Sequence, residues 1–359
     1  MLEGNPAHAE KTRQDDAFAR ALLAWYDTHG RKDLPWQRQR TPYRVWLGEV
    51  MLQQTQVRTV IPYFERFVAA LPTLPDLAAA AEDRVLALWS GLGYYSRARN
   101  LHRTAQRCVE AHAGDLPRDI TALSALPGIG RSTAAAILAQ ACGERHAILD
   151  GNVRRVLARR HGVRGWPGST ATQHELWGLA KRHTPHERVA DYTQAIMDLG
   201  ATLCTRSRPQ CARCPVASGC VALREDLTAE LPESKPRRDI PTRATTLLIA
   251  RDVHGRVLLE RRPPSGVWAR LWSLPEARDT RSAARVLRDR LGLKAGRVTP
   301  LESFMHVFSH YRLEITPLIC EPVSATRVQD DADRLWYSRA ELAALGLPAP
   351  VRRLLESLP

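Results

Sequence analysis

The chain has 359 residues, of which 44% are apolar and 25% charged, a profile that predicts a globular protein too long for one ordinary core. Lys and Arg total 52 against 38 Asp and Glu, and the resulting charge of +14 favours a polyanionic partner. Residues 1–16 lack the apolar core of a signal peptide, and no later apolar run is long enough to span a bilayer. We therefore expect a monomeric cytoplasmic protein outside any membrane, with reduced thiols.

The first two thirds of the chain show a helical pattern. Residues 1–16 are polar and are predicted to form a flexible tail, whereas apolar residues three and four positions apart predict an all-helical domain over 17–226. The predicted helices cover 18–25, 43–55, 59–70, 84–88, 98–111, 132–141 and 153–160. Three prolines and several charges then predict an extended linker over 227–243.

After the linker the apolar pattern changes to a period of two. Segments 244–251 and 257–261 flank a turn at 252–255 and predict a β-hairpin. A helix over 281–291, a strand over 313–320 and a helix over 350–358 follow. The sequence thus predicts a smaller α+β domain at 244–359.

Four of the seven cysteines crowd into the end of the helical region. Cys204, Cys211, Cys214 and Cys220 are separated by six, two and five residues. Structural zinc is the alternative, but zinc sites are usually built from paired Cys-x2-Cys knuckles, and only one close pair is present. The spacing favours a [4Fe–4S] cluster.

A glycine-containing turn joins two predicted helices at LPGIGRST, residues 126–133. Gly128 and Gly130 permit a tight turn whose backbone N–H groups, with Arg131 at the start of the next helix, would bind a phosphate. A simple helix–helix turn is the alternative. Asp150 follows in ILDGNV and is either a functional acid, the N-cap of the next helix, or both.

Glu49 lies among apolar residues in a predicted helix. Burial there would raise its pKa and make it a proton donor near neutrality. The alternative is an exposed glutamate on an amphipathic helix.

These motifs, in this order, resemble the helix-hairpin-helix DNA glycosylase superfamily and, within it, the MutY-type adenine DNA glycosylases. The matching segments are 34–37, 41–57, 88–102, 126–134, 148–159 and 197–211. The resemblance runs from about residue 17 to the last helix. It implies an all-α helix-hairpin-helix glycosylase domain with a [4Fe–4S] loop at 204–220, followed by an α+β Nudix-like domain. The implied reaction is hydrolysis of the N-glycosidic bond of adenine opposite 8-oxoguanine or guanine in double-stranded DNA, in base-excision repair.

The resemblance also implies residue roles. Glu49 would protonate adenine, Asp150 would stay ionised and stabilise the oxocarbenium-like sugar, and Asn152 would orient the acid or a water. Ser132 stands where bifunctional relatives carry a nucleophilic lysine, so efficient strand cleavage is not expected. The base would flip out of the duplex, with Gln53, Gln54 and Tyr94 entering or flanking the helix. The residues expected to line the adenine pocket are Trp36, Gln37, Leu52, Val57 and Gln194, and those expected to contact phosphates are Arg97, Arg99 and Arg103.

The C-terminal domain resembles a Nudix fold that has lost its metal site. Val286 and Arg290 stand where a working Nudix helix has acids, leaving Asp289 alone, so pyrophosphatase activity is not expected. Phe308, Ser309 and His310 resemble the family loop that reads 8-oxoguanine.

Three other functions fit parts of the pattern. The first is an endonuclease III-like pyrimidine glycosylase with lyase activity, against which Ser132 argues. The second is a nucleotide pyrophosphatase with a DNA-binding appendage, against which Val286 and Arg290 argue. The third is a non-catalytic DNA-binding protein whose cluster is structural.

Overall fold

The computed structural model describes residues 6–235, 239–308, 310–325, 333–338 and 345–358. Ser309, one of the predicted lesion-reading residues, lies outside them. The chain divides into two compact units, one made of residues 1–79 with 100–236 and the other of residues 80–99 with 237–359.

The region before residue 226 is helical, as predicted. Its helices are α1 (Pro6–His29), α2 (Pro35–Arg38), α3 (Pro42–Leu52), α4 (Val57–Ala70), α5 (Leu74–Ala79), α6 (Glu82–Trp89), α7 (Ser96–Ala111), α8 (Ile120–Ser124), α9 (Arg131–Cys142), α10 (Gly151–His161), α11 (Thr170–His183), α12 (Val189–Thr202) and α13 (Val221–Arg224).

Two boundaries at the start differ from the prediction. Helix α1 begins at Pro6, within the predicted flexible tail, because residues 7–14 include strong helix formers such as alanine, glutamate and glutamine and no further proline. Helix α3 ends at Leu52 rather than residue 55, since Gln54 adopts a left-handed φ of 60° that no α-helix accommodates.

The core of the first unit lies between α1 and helices α9 to α12. Phe18 and Leu22 of α1 pack with Leu157 of α10, Leu176 of α11 and Leu199 of α12. Helix α3 lies against α9. This packing places the middle of α3 beside α9 and the start of α10 beside α12, which sets the positions of the acids described below.

The predicted linker is partly anchored. The side chain of Leu231 is buried, and its carbonyl oxygen accepts a hydrogen bond of 2.8 Å from Nε of Arg159 on α10. An extended linker over 227–243 is therefore incorrect for its first part, because an apolar side chain and a buried guanidinium hold it to the helical unit. Strand β1 begins at Thr242.

The second unit contains the strands β1 (Thr242–Ala250), β2 (Val257–Arg261), β3 (Trp272–Ser273), β4 (Glu276–Ala277), β5 (Leu293–Pro300), β6 (Phe304–Val307), β7 (Arg312–Ala325) and β8 (Arg334–Tyr337). Helix α14 (Ala283–Arg285) continues as a π-helical turn to Arg290, and α15 (Ala349–Ser357) follows the strands. In the described residues one sheet has the order β4-β1-β7-β5 with β6 also on β7, and the other has the order β3-β2-β8.

The predicted β1–β2 hairpin is wrong. Strand β1 pairs in parallel with β7, from Thr242 opposite Arg312 to Ala250 opposite Cys320, while β2 belongs to the other sheet. A single bridge between Arg251 and Val257 closes the turn. Alternate residues of β1 face two different core clusters, so β1 is buried on both sides and its partner is distant in sequence.

Residues 80–99 belong to the second unit, although the sequence placed them in one uninterrupted domain over 17–226. Tyr95 donates a hydrogen bond of 2.7 Å from its hydroxyl to the carbonyl of Leu347, and Asp83 accepts two of 2.8 Å from Arg261. These contacts to residues far along the chain account for the difference, because local periodicity reports helix type and not tertiary partners.

Candidate active site

Glu49 lies on α3 between residues that are buried. The preceding residue, Gly48, has no space for a side chain, because a Cβ there would lie 2.9 Å from Cγ of Trp36. Glu49 itself remains partly exposed, so a substrate atom has access to it. Burial raises its pKa to about 7, the negative charge of Asp150 adds to this, and a hydrogen bond from Gln140 partly opposes it. A carboxyl group with this pKa carries a transferable proton at neutral pH.

Asp150 caps α10. Its Oδ1 accepts a hydrogen bond of 2.8 Å from the backbone N–H of Val153, so the N-cap reading of the sequence is confirmed. Burial raises the pKa of Asp150, and the hydrogen bonds from residues 152 and 153 and the nearby arginines 154 and 155 oppose that effect. The two carboxyl groups interact electrostatically, since Asp150 contributes to the pKa of Glu49.

Asn152 is held in one orientation beside Asp150. Its Oδ1 accepts a hydrogen bond of 2.8 Å from Arg155, which leaves its amide nitrogen to donate to Oδ2 of Asp150 at 3.3 Å. Arg155 also donates to the carbonyl oxygens of Gly200, at 2.6 Å, and Cys204, at 2.7 Å. The side chain of Asn152 is thus fixed between α10 and α12 and presents a donor to the acid.

Ser132 is tied to the segment that leads to Asp150. Its hydroxyl oxygen accepts a hydrogen bond of 2.9 Å from the backbone N–H of Leu149. A lysine side chain at this position would offer no acceptor for that N–H. Ser132 therefore supports the backbone next to the acid and offers no amine.

The turn before α9 has the geometry that a close backbone approach requires. Gly128 has a left-handed φ of 78°, and a Cβ there would lie 2.8 Å from Cβ of Asn100. Gly130 has an extended φ of −90° and only open space around it, so the tight turn depends on Gly128. With Arg131, Gly130 lines a groove of about 600 Å³ in front of the first turn of α9, whose N–H groups lack intrahelical acceptors.

Three of the five predicted pocket residues lie in the interior, and two of them are connected to Glu49 by hydrogen bonds through Gln140. Trp36, Gln37 and Gln194 are buried, and Nε2 of Gln37 donates a hydrogen bond of 2.6 Å to Oε1 of Gln194. The other two, Leu52 and Val57, are partly exposed on either side of the turn that follows α3.

The two glutamines of that turn differ in exposure. Gln53 is partly exposed and is the C-cap residue of α3. Gln54 is exposed and has a backbone φ in the left-handed region. Gln54 therefore lies on the surface, where the predicted contact with a duplex is possible.

Tyr94 is half exposed and has a left-handed φ of 48°. The guanidinium of Arg97 lies 5.5 Å from its ring and donates to the carbonyls of Leu92 and Gly93, so Arg97 is buried and the prediction that it contacts phosphate is wrong. Arg99 likewise donates to the carbonyl of Ala269. Both arginines support backbone in the second unit, whereas Tyr94 presents an aromatic ring to solvent.

Sequence reasoning missed three residues that are connected to Glu49 by hydrogen bonds, directly for Gln140 and through intervening glutamines for Arg31 and Asp198. Gln140 donates a hydrogen bond of 3.1 Å from Nε2 to Oε1 of Glu49, and Asp198 is fully buried against Arg31. A signal was present for two of them. Gln140 interrupts the apolar run of α9, and Asp198 stands between Met197 and Leu199.

The four clustered cysteines line a single cavity together with Arg159. Burial raises the pKa of Cys214 to about 11, and the other cysteine sulfurs add to this, as they do for Cys211. In the described residues no group of three or more Cys, His, Asp or Glu side chains is arranged to hold one metal ion. A zinc ion would bring its sulfurs to about 3.8 Å from one another.

Arginines pair with acids on and beside the helix that stands in the Nudix metal-binding position. Arg290 and Arg334 both pair with Glu260, at 2.9 and 3.2 Å, and Asp289 pairs with Arg288 at 2.7 Å. Glu260 and Asp289 thus both have arginine partners.

Aromatic rings surround the predicted lesion-reading loop. Phe308 lies 4.7 Å from Tyr311 and 4.6 Å from His306, measured between ring centroids, and packs against the core. His310 is exposed beside them. Phe308 is therefore a partly buried stacking residue and not a freely projecting wedge.

No helix in the described parts of the chain is long and apolar enough to cross a membrane.

Comparison with known proteins identifies both regions. Residues 47–182 match the HhH-GPD superfamily of base excision DNA repair proteins, and residues 245–357 match the NUDIX domain. A thermostable thymine-DNA glycosylase of known structure is 25% identical, with a TM-score of 0.53 over 61% of this chain and 99% of its own.

The chain is also similar to adenine DNA glycosylases along nearly its whole length. The protein of Buchnera aphidicola from Acyrthosiphon pisum is 34% identical over 95% of this chain and 97% of its own. The human protein is 37% identical over 83% of this chain and 65% of its own. With its helical glycosylase region and its Nudix-like C-terminal region, the chain belongs to the adenine DNA glycosylase family, whose members are hydrolases of base-excision repair.

Proposed function

We propose that the protein hydrolyses the N-glycosidic bond of adenine paired with 8-oxoguanine or guanine in double-stranded DNA, without cleaving the strand. The observation that carries the proposal is the pairing of Glu49, whose pKa lies near 7, with a second carboxyl group, Asp150, at the start of α10. Expulsion of adenine needs a proton on the base and a negative charge near the sugar, and these two groups supply them.

The mechanism follows from the contacts of the two acids. Glu49 donates its proton to a ring nitrogen of the flipped adenine, such as N7, and then assists the attack of water. Asp150, oriented by Asn152, stabilises the positive charge that develops on the sugar. Trp36, Gln37, Leu52, Val57 and Gln194 form the adenine pocket.

Several elements of the chain would hold the DNA. The groove lined by Gly130 and Arg131, in front of the turn that Gly128 allows, takes a phosphate of the backbone. Tyr94, Gln53 and Gln54 fill or flank the space that the flipped base leaves, because an extruded base must be replaced in the stack. The basic balance of the chain supports this partner. We propose that the protein acts as a monomer.

The specificity for 8-oxoguanine would come from the loop at 308–310. Phe308 can stack on the lesion, and Ser309 and His310 can hydrogen-bond its edge. A panel of duplexes with A:8-oxoguanine, A:G and thymine-glycol pairs tests the assignment. We expect adenine from the first two, faster with 8-oxoguanine, and nothing from the third. Release of the oxidised pyrimidine would overturn it.

Phe308→Ala is expected to reduce the preference for 8-oxoguanine over guanine by about tenfold, a magnitude typical for loss of one stacked aromatic contact. The measurement is the ratio of single-turnover rates on the two duplexes. Val307→Ala changes the exposed neighbouring side chain at the end of β6 and serves as the matched control. A preference unchanged by Phe308→Ala would contradict the proposed role of the loop.

Strand cleavage separates this proposal from the lyase alternative. Ser132 has no amine to form a Schiff base, so the wild-type protein is expected to leave the strand intact until alkali treatment and to give no adduct on borohydride reduction. Ser132→Lys restores an amine and is the positive control, in which a trapped adduct is expected. An adduct formed by the wild-type protein would show that another amine attacks the sugar.

We propose that Cys204, Cys211, Cys214 and Cys220 hold a [4Fe–4S] cluster, in a reducing compartment such as the cytoplasm. The four side chains line one cavity, and their spacing of six, two and five residues is more typical of a polynuclear cluster than of paired zinc knuckles. Arg159 binds this loop through the carbonyls of Thr205 and Arg206. The cluster supplies cross-linking of the loop, and the excision chemistry is carried by the carboxyl groups.

Metal analysis tests the cluster. Protein purified without oxygen is expected to contain about four iron atoms and four acid-labile sulfides per chain. Cys214→Ser is expected to lose both together with thermal stability, whereas Cys108→Ser, at a buried thiol outside the cluster, keeps them. One zinc per chain without sulfide would overturn the assignment.

A further inference from the structure

A continuous chain of hydrogen bonds runs from an ion pair to the proposed catalytic acid. Asp198 accepts three hydrogen bonds of 2.7–2.9 Å from Arg31 and one of 2.7 Å from Nε2 of Gln194. Gln37 donates from a single nitrogen to Oε1 of Gln194 and to Oε1 of Gln140, both at 2.6 Å. Gln140 then donates to Oε1 of Glu49 at 3.1 Å.

Which side-chain atom donates and which accepts is fixed along this chain of hydrogen bonds. An arginine only donates and a carboxylate only accepts, so Asp198 must accept from both its neighbours. Gln194 therefore presents its amide nitrogen to Asp198 and its oxygen to Gln37. The opposite orientation would place two acceptors face to face in a buried site.

The constraint passes along the remaining amides. Gln37 meets two oxygens and must present its nitrogen to both. Since the oxygen of Gln140 is used by Gln37, its nitrogen faces Glu49. Gln37, Gln140 and Gln194 are each more than nine-tenths buried, so water does not readily relax these orientations.

We propose that the Arg31–Asp198 ion pair sets the orientation of the three amides and so keeps Oε1 of Glu49 as an acceptor, with the transferable proton on Oε2. Arg31, Asp198 and Gln140 are in this sense positioning residues for the acid step. The inference rests on the proposed function of Glu49.

Reversal of the chain has a specific consequence. Oδ1 of Asp198 accepts from both the guanidinium of Arg31 and Nε2 of Gln194, so an asparagine could keep its oxygen in that place, and Asp198→Ala is the informative change. With the carboxylate gone, the guanidinium of Arg31 favours the oxygen of Gln194 as its acceptor, so each amide in turn is driven to flip. Gln140 then presents its oxygen to Glu49, which must keep its proton on Oε1 to make that hydrogen bond. The protonated form gains a partner, the carboxylate loses one, and the pKa of Glu49 rises.

A double-mutant cycle tests this relay through the pH dependence of single-turnover adenine release. Asp198→Ala is expected to raise the pH midpoint by about one unit and to lower the plateau rate by about tenfold or more. Gln140→Met removes the last donor and also raises the midpoint. Once Gln140 is absent, Asp198→Ala should change neither the midpoint nor the plateau rate further, because no amide connects residue 198 to Glu49.

Controls separate the relay from general damage. Asp191→Asn removes a charge from the same helix at a partly exposed position that pairs with Arg188, and no shift of the midpoint is expected. If Asp198→Ala does not fold, Gln194→Met breaks the chain of hydrogen bonds while leaving the ion pair, and it takes the same place in the cycle. Its expected shift has the same sign and is smaller.

Two outcomes would overturn the relay. One is a loss of rate without a shift of the midpoint, and the other is additive effects of the two substitutions. If the wild-type protein releases adenine normally, either outcome refutes only the relay. If the wild-type protein releases no adenine, the proposed function itself is refuted.

Discussion

Glu49→Gln is expected to lower single-turnover adenine release by about 10²- to 10⁴-fold, the range attributed to a positioned general acid. The amide keeps the size of the side chain and can still bond Gln140, but it has no proton to transfer at any pH. Binding of the mispaired duplex should persist, since the variant leaves the phosphate groove unchanged.

The same variant is expected to be more stable than the wild type at alkaline pH. The pKa of Glu49 is raised in the folded state, from 4.5 to about 7. The contribution of protonated Glu49 to the free energy of unfolding is fully present below pH 4.5 and is lost as pH rises through about 7. The neutral amide of the variant avoids this loss, so its advantage in melting temperature should appear at pH 8 and vanish at pH 4. A variant that is inactive and destabilised at every pH would instead indicate misfolding.

Asp150→Asn is expected to lower the rate by about 10²- to 10³-fold, the usual cost of removing one electrostatic contact to a transition state. Asparagine is as good an N-cap as aspartate, so its oxygen can still accept from Val153 and α10 should remain intact. The two functions of Asp150 are thereby separated.

Asp150→Ala provides the comparison. It removes both the charge and the cap, and should lose about 1 kcal/mol of stability in addition to activity. Thermal melts and rates measured on the two variants together distinguish the roles. Near wild-type activity in Asp150→Asn would show that capping is the only function of this residue.

Much of this site could be predicted from the sequence, because its signals are local. Glu49 stands out as an acid in an apolar helix, and Asp150 precedes a helix as an N-cap does. Gly128 marks the turn with a left-handed φ. The four cysteines could be grouped from their spacing alone. In each case the residue type and its immediate neighbours carry the information.

The remaining features depend on partners distant in the chain. The sequence predicts a β1–β2 hairpin because the turn at 252–255 is a local signal. The main partner of β1 is β7, whose first residue, Arg312, is 70 residues after the start of β1 at Thr242. Arg97 is of a residue type expected at a DNA-contacting surface, but its guanidinium donates to carbonyls of the loop that precedes α7. Gln140 acquires its role only when α9 packs against α3 and brings it to Glu49.

The central claim is that Glu49 acts as a neutral acid with a pKa near 7. The most direct test is the single-turnover rate of adenine release from an A:8-oxoguanine duplex between pH 5 and 9. If the claim is correct, the rate is constant at low pH and falls through a midpoint near 7, then by about tenfold per unit. A rate that rises with pH, or does not change across this range, would contradict it.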